Sequence, residues 1–495
     1  MIRSRIYLKK IRNNKEKQTV FLNGLLLIFP HERKGVLKVL KRKIKPRKEI
    51  NMLEGPVLKN IIRFVIPLAI MSILQNLYNA ADIIVVGNFA GANALASVGA
   101  TSSSINLIVN LFIGLSLGAS VTVSQFLGEG NLKKVSKAVH TSVLISIIGG
   151  TLLMIIGFFI ARPLLTVLKT PPEVLDGAVL YMKIYFIGMP GSMIFNYGSG
   201  ILRADGNTKT PLKISMIAGV LNVLLNLLFV IVFKMSVDGV AYATIISQYV
   251  SAFLTLRVLC YSGGATRLSL RALRIDKEAL FKILKIGVPS GINSSLFSIS
   301  NVLIQSTVNS FGAAAVAGNS AAGSIEAFQY SALNSFYQAA LTFTAQNYGA
   351  KKYERFKRII GACFLSATVV ATFFVLLLVP FGREFIMIYN KAPEVVEFGY
   401  IKVLILSVTY VLCTYQEVIT GAVRAIGKSF SAMINSVFGI CILRVLWIYL
   451  VFPLFKTPES LFISYPVSWI LVLVMNSILF YLSIKKLKKQ KESAE

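Results

Sequence analysis

Histidine is almost missing from this 495-residue chain: its two copies, His31 and His140, stand far apart. Neither belongs to the clustered His/Asp or Ser/Lys arrangement at helical spacing that intramembrane hydrolysis needs, which argues against an enzyme. Cysteine is nearly as scarce. Cys260, Cys363, Cys413 and Cys441 lie far apart, in or beside apolar runs. They have neither metal-ligand spacing nor a disulfide framework, so they read as small core residues. No P-loop occurs, which excludes ATP drive from this chain. No filter-like loop or charge ring points to a channel. Charge itself is sparse, at 15% of residues, where a soluble domain has about 25%. What fills the chain instead is hydrocarbon: hydrophobic residues make up 55% and the mean hydropathy is +0.69. Such a chain cannot hide its apolar surface in one water-facing globule. It needs lipid.

Acids are the scarcer charge, 21 Asp and Glu against 52 Lys and Arg, for a net +31. Sixteen of the basic residues fall within residues 1–51, opposed only by Glu16, Glu32 and Glu49. A basic tail can serve nucleic acid or a lipid surface. No nucleic-acid module accompanies this one, and the aromatic residues lie in the apolar runs, so no nucleic-acid partner is expected. The apolar stretch Val20–Pro30 spans eleven residues, where a membrane helix needs about twenty. No small-residue cleavage site follows it; His31-Glu32-Arg33-Lys34 does. Residues 1–51 therefore read as a disordered, dispensable cytoplasmic extension. Met52 is a candidate start, because Met52-Leu53-Glu54-Gly55-Pro56 leads into the first long apolar segment.

From Ile61 onward, apolar runs of about 20 residues alternate with short polar links, each run long enough for a transmembrane helix. The expected spans are 61–86, 98–126, 138–160, 178–201, 212–233, 238–256, 283–308, 319–345, 359–381, 398–422, 430–451 and 461–483. Twelve helices are expected, since β-barrel strands would read as short alternating segments. The links on the side of the N-terminal tail, with the C-terminus, hold 25 Lys and Arg, and the opposite links hold eight. The positive-inside rule then puts both termini in the cytoplasm and the chain in the cytoplasmic (inner) membrane.

The sequence also repeats. Gln125-Phe126-Leu127-Gly128 returns as Gln346-Asn347-Tyr348-Gly349, and Pro172-Glu173-Val174 as Pro393-Glu394-Val395. Gly200 through Gly206 returns as Gly421 through Gly427, and all three offsets are 221 residues. One coincidence means little; three at one offset mean duplication. Six spans per unit return the chain to its starting side. The halves therefore share one orientation, about a pseudo-two-fold axis along the membrane normal.

The segments Pro67 through Gly87 and Gln125 through Gly130, with Arg203-Ala204-Asp205-Gly206-Asn207 and Arg424-Ala425-Ile426-Gly427-Lys428-Ser429, carry a further signal. Through them the chain resembles the multidrug and toxic compound extrusion (MATE) family of cation-coupled antiporters, from Met52 to about Ile484. The resemblance implies two six-helix lobes arranged as a V, and export of bulky, often cationic compounds against inward H⁺ or Na⁺. The expected organisation is an N-lobe over 52–258, a cytoplasmic linker over 259–282, a C-lobe over 283–484 and a basic cytoplasmic tail over 485–495. The expected partners are a small-molecule substrate and the lipid bilayer, with no ATP, no cofactor beyond the coupling ion, and a monomeric state. A lipid-linked-precursor flippase of related architecture is the alternative. It would favour a basic, hydrated central cavity, whereas the intramembrane charges here are mostly acidic.

Asp82 is the first candidate for coupling. A carboxylate at membrane depth is costly unless paired, hydrated or protonated. Low dielectric disfavours the charged form of any acid, which suits a group that loads and releases a proton. Gln75, Tyr78 and Asp82 are spaced three and four apart and so share one helical face. An ionised Asp82 could equally help ligate Na⁺. The bland alternative is a structural Asp bonded at a helix end. The resemblance matches Asp82 to the family's first-helix coupling Asp. It also matches Asn222 and Asn226, four apart in the fifth span, and Thr244 in the sixth to an N-lobe cation site. Members with that site carry Asp where this chain has Asn226, so one negative charge is missing. Both Asn residues could instead be interhelical glue.

In the second half, Glu326 has Tyr330 one turn on and Asn319 two turns back, and Glu417 shares a face with Thr414 and Tyr410. Glu326, Tyr330 and Glu417 are candidates for contact with substrate, with Gln75 and Tyr78. The structural alternative is an ion pair of either acid with Arg444. Arg203 and Arg424 read as turn anchors that snorkel to headgroups or bind loop carbonyls. His140 reads as a satisfied interface residue. Pro67, Pro190 and Pro289 are expected to bend their helices.

Overall fold

A computed structural model describes residues 50–168 and 170–493. The expectations for residues 1–49 lie outside the described residues. Everything described is helix and short connection, with no strand among the described residues. The helices are α1 (Val57–Ala90), α2 (Ala92–Gly128), α3 (Leu132–Val167), α4 (Pro172–Ile187 and Met189–Ala204), α5 (Lys209–Val232) and α6 (Val237–Tyr261). They continue as α7 (Lys277–Asn309), α8 (Ala313–Gly349), α9 (Arg355–Met387), α10 (Pro393–Ala425), α11 (Ser429–Phe455) and α12 (Pro458–Glu492).

These are the twelve expected membrane helices, in two six-helix lobes. Among the described residues nine are long and apolar enough on their own, and the two pieces of α4 together make a tenth. The other two, α7 and α8, are 33 and 37 residues long but rich in Ser, Asn and Gln, and both pack across the lobe boundary. The helices outrun their apolar cores because polar ends continue the hydrogen-bonded spiral into the headgroup region.

Local chemistry fixes the ends. Asn131, Asp276 and Thr457 cap α3, α7 and α12 by accepting from the backbone N–H three residues on, which satisfies an otherwise orphaned donor. Proline opens α4, α10 and α12 at the position where its missing N–H costs nothing. At the end of α4, Gly206 sits at φ 81°, with Asn207 N donating to Leu202 O and Gly206 N to Arg203 O at 2.9 Å each. At the end of α10, Gly427 sits at φ 82° with the same pair of bonds, Lys428 N to Val423 O and Gly427 N to Arg424 O. This six-to-one closure needs a left-handed residue, so glycine stands at both copies. The bend in α4 is 47°, at Gly188 and just before Pro190, whereas α1 and α7 run on through Pro67 and Pro289 as single helices. π-helical turns occur in α1, α5 and α11.

Packing repeats as the sequence does. In the N-lobe α1 lies on α5, and α4 on α2, α3 and α6; in the C-lobe α7 lies on α11, and α10 on α8, α9 and α12. Between lobes, α1 meets α8 and α9 while α7 meets α2 and α3, the same pair of contacts turned about the pseudo-two-fold axis. Six of the ten left-handed residues among the described residues obey the offset: Gly91 and Gly312, Gly130 and Lys351, Gly206 and Gly427. The bonds between lobes gather at the face carrying residues 50 and 493, here called the terminal face. There Gln125 Nε2 donates to Ala425 O, Gln346 Nε2 to Ala204 O, Asn347 Nδ2 to Met52 O and Lys352 Nζ to Leu53 O. Phe64 meets Phe343 edge-on at 5.4 Å between centroids.

Candidate functional site

Toward the far end of α1, a cleft of about 220 Å³ opens inside the N-lobe among α1, α4, α5 and α6. Helical spacing turns Gln75, Tyr78, Asn79 and Asp82 of α1 into it together. Ser192, Phe195 and Asn196 of α4 line another wall, and Ser215, Asn222, Thr244 and Gln248 of α5 and α6 the rest. Gly219 lets the Tyr78 ring lie against α5, since a Cβ there would strike it. The cleft thus holds one carboxylate, many neutral oxygens and amides, and neither Lys nor Arg.

Asn226 Nδ2 donates to Asp82 Oδ1 in a short bond. The same amide reaches Asn222 Oδ1 at 3.5 Å, and Asn222 Nδ2 reaches Thr244 Oγ1 at 3.5 Å. Thr244 in turn donates to Val240 O at 3.0 Å. Asn226 is fully buried, and its Oδ1 accepts no hydrogen bond. An orphaned buried acceptor costs free energy until a proton or cation meets it. The arrangement links the Asp82 carboxylate, the two amides and the Thr244 hydroxyl in one hydrogen-bonded chain.

The C-lobe candidates lie elsewhere. Glu326 on α8 pairs with Lys402 Nζ on α10 at 3.2 Å and accepts from Tyr410 Oη at 3.3 Å. Tyr330, well exposed, accepts from Asn334 Nδ2 at 3.0 Å. Glu417 makes no ion pair among the described residues. Arg444 meets neither acid: it is buried, donates to Ser468 Oγ at 3.1 Å and Asn301 Oδ1 at 3.5 Å, and lies 4.2 Å over the Tyr465 ring. The structure therefore brings Gln75, Tyr78, Asp82, Asn222, Asn226 and Thr244 together, and leaves Glu326, Tyr330 and Glu417 in the other lobe. Asn76 joins the two regions by donating to Ala327 O at 3.1 Å and Ser331 Oγ at 2.8 Å on α8.

One sequence reading changes. Arg203 and Arg424 do not snorkel: both are buried, and Arg424 Nη1 donates to Tyr337 Oη at 2.8 Å. Their helices end at the lobe interface, where Gln346 Nε2 donates to Ala204 O and Gln125 Nε2 to Ala425 O. Lys402 is buried, because α10 begins at Pro393, about two and a half turns earlier. His140 is bonded at both ring nitrogens, to Ser136 O at 2.6 Å and Ser269 N at 3.0 Å.

Known proteins share this arrangement. The family model MatE matches residues 67–228 and again 289–450, one copy in each lobe. The probable multidrug resistance protein YpnP of Bacillus subtilis is 29% identical over 403 residues, 80% of this chain and 89% of its own. The probable multidrug resistance protein YoeA of the same organism is 26% identical over 385 residues, 76% of this chain and 83% of its own. A solved structure described as the outward-facing conformation of a multidrug resistance MATE family transporter superposes with a TM-score of 0.84 at 22% identity. It covers 90% of this chain and all of its own, and that likeness is one of fold.

Proposed function

This chain belongs to the MatE family, and on that footing we propose that it exports organic, often cationic, drug-like compounds in exchange for H⁺ or Na⁺. The observation that carries the reading is Asp82, the lone carboxylate on a cleft of neutral oxygens, bonded to a buried amide whose own oxygen is orphaned. Ionised, Asp82 accepts from Asn226 Nδ2. Protonated, it becomes a donor, and a half-turn of the Asn226 amide offers it the orphaned Oδ1. Na⁺ would need the same turn of the amide, because Nδ2 faces Asp82 and a hard cation takes carboxylate and carbonyl ligands. Either event changes the charge seen by a cargo in the cleft. Antiport requires each ligand to weaken the other, and the linkage is reciprocal.

The positive-inside count supports a cytoplasmic terminal face and a place in the cell membrane. In that orientation the lobes are sealed inward. The relatives named as probable multidrug resistance proteins support the same cargo class. A flippase for lipid-linked precursors would want basic residues facing its cavity, and the Asp82 cleft has none. The chain needs no partner subunit for this cycle, and no cofactor beyond the coupling ion. In everted vesicles loaded with a fluorescent cationic cargo, a pH jump and a Na⁺ jump applied separately assign the ion. Driven transport by one jump supports the reading; transport by neither overturns it.

A further inference from the structure

A second cavity lies at the terminal face, remote from Asp82. It encloses about 350 Å³ between the first turns of α3 and the segment joining α6 to α7, and Ser136, Lys137, His140, Arg271, Leu273 and Arg274 line it. The joining segment is pinned to α3 by three bonds. Ser269 N donates to His140 Nε2 at 3.0 Å, Asp276 N to Thr141 Oγ1 at 2.9 Å, and Thr141 Oγ1 to Arg274 O at 3.4 Å. His140 is thus engaged at both ring nitrogens, Nε2 by Ser269 N and Nδ1 by the Ser136 carbonyl oxygen at 2.6 Å. Lys137 spends its charge on Asp276 at 2.7 Å.

That leaves Arg271 and Arg274. Neither has an acid partner among the described residues, and no carboxylate lines the cavity. Two unpaired guanidinium forks at one recess suit a phosphate, whose oxygens take paired N–H donors. Beside the recess Leu270 and Ile275, the chain neighbours of Arg271 and Arg274, are both exposed. A soluble anion has no use for exposed apolar side chains beside its site, whereas a lipid presents its acyl chains just below its phosphate. We propose that this recess binds the phosphate of an anionic phospholipid headgroup, clamped by Arg271 and Arg274 while Leu270 and Ile275 rest on the acyl chains. The bound lipid ties α3 of one lobe to the segment that leads into the other.

The test is a thermal-shift titration of the purified full chain in detergent with phosphatidylglycerol, phosphatidylcholine or inorganic phosphate. Saturable stabilisation by phosphatidylglycerol alone is expected, and Arg271→Gln/Arg274→Gln should weaken it about tenfold, the size of a lost charge-assisted contact. The control Lys485→Gln/Lys486→Gln removes equal charge from exposed positions on α12 and should keep wild-type affinity. Equal stabilisation by inorganic phosphate overturns the lipid as source, and equal stabilisation by phosphatidylcholine overturns anion recognition. A double variant with unchanged affinity, or a control that loses as much, overturns the site. If the double variant does not purify folded, each single Gln variant carries the test, with about threefold weakening expected.

Discussion

Gln125 and Gln346 make the same bond in opposite directions across the lobe boundary. Gln125 Nε2 donates to Ala425 O at 2.8 Å, and Gln346 Nε2 to Ala204 O at 2.6 Å, donors and acceptors both 221 residues apart. Beside them Gly128 lies against the Gln346 carbonyl and Gly349 against the Gln125 carbonyl, so close that a Cβ at either would collide. Each half thus supplies a long amide and a bare backbone, and each receives the other's. The pair closes the terminal face.

Removing both amides, as Gln125→Leu/Gln346→Leu, strands two buried carbonyls at about 1–3 kcal/mol each. The closed face should lose population, which cysteine labels on the ends of α2 and α8 would report as a longer mean distance by spin-label spectroscopy. An unchanged distance distribution would show that the seal rests on packing alone.

The Glu326–Lys402 pair is buried on the Lys402 side. Lys402→Met leaves a carboxylate without its cation, at a cost of about 3 kcal/mol or more, and Glu326→Gln/Lys402→Met should recover most of it. Thermal unfolding of both variants checks this. A stable Lys402→Met would instead free Glu326 for cargo.

Outside the spans, the bond from the Lys137 ammonium, aided by the Ala279 N–H, holds the Asp276 carboxyl below the usual carboxylate range. A depressed folded value means that the stabilisation is complete above the unfolded value of about 4 and disappears as pH falls through the folded one. Asp276→Asn keeps the helix cap and loses only the charge. It should lower the unfolding temperature by about 1 °C at pH 7, with the gap closing toward pH 3. A gap independent of pH would assign the effect to the cap.

Much of the fold was legible in the sequence, because lipid demands long apolar runs and a duplication writes its offset into every repeated turn. The glycines at 206 and 427 announced both helix ends, yet the burial of Arg203 and Arg424 beside them depends on which helix packs opposite. Periodicity put Gln75, Tyr78 and Asp82 on one face, since that is a property of one helix. It could not pair Glu326 with Lys402, 76 residues away, nor deny Arg444 an acid, because those are properties of helix against helix. Asn76 escaped notice for the same reason: its partners lie on α8. The π-helical turns left no mark, as one inserted residue barely alters an apolar run.

Asp82 decides the account. In proteoliposomes with inward H⁺ and Na⁺ gradients imposed together, Asp82→Asn should abolish gradient-driven export of a cationic dye. It should still exchange dye for dye without a gradient, which shows that the cleft is folded and open. Driven export at the wild-type rate by that variant would contradict the claim that Asp82 couples ion to cargo.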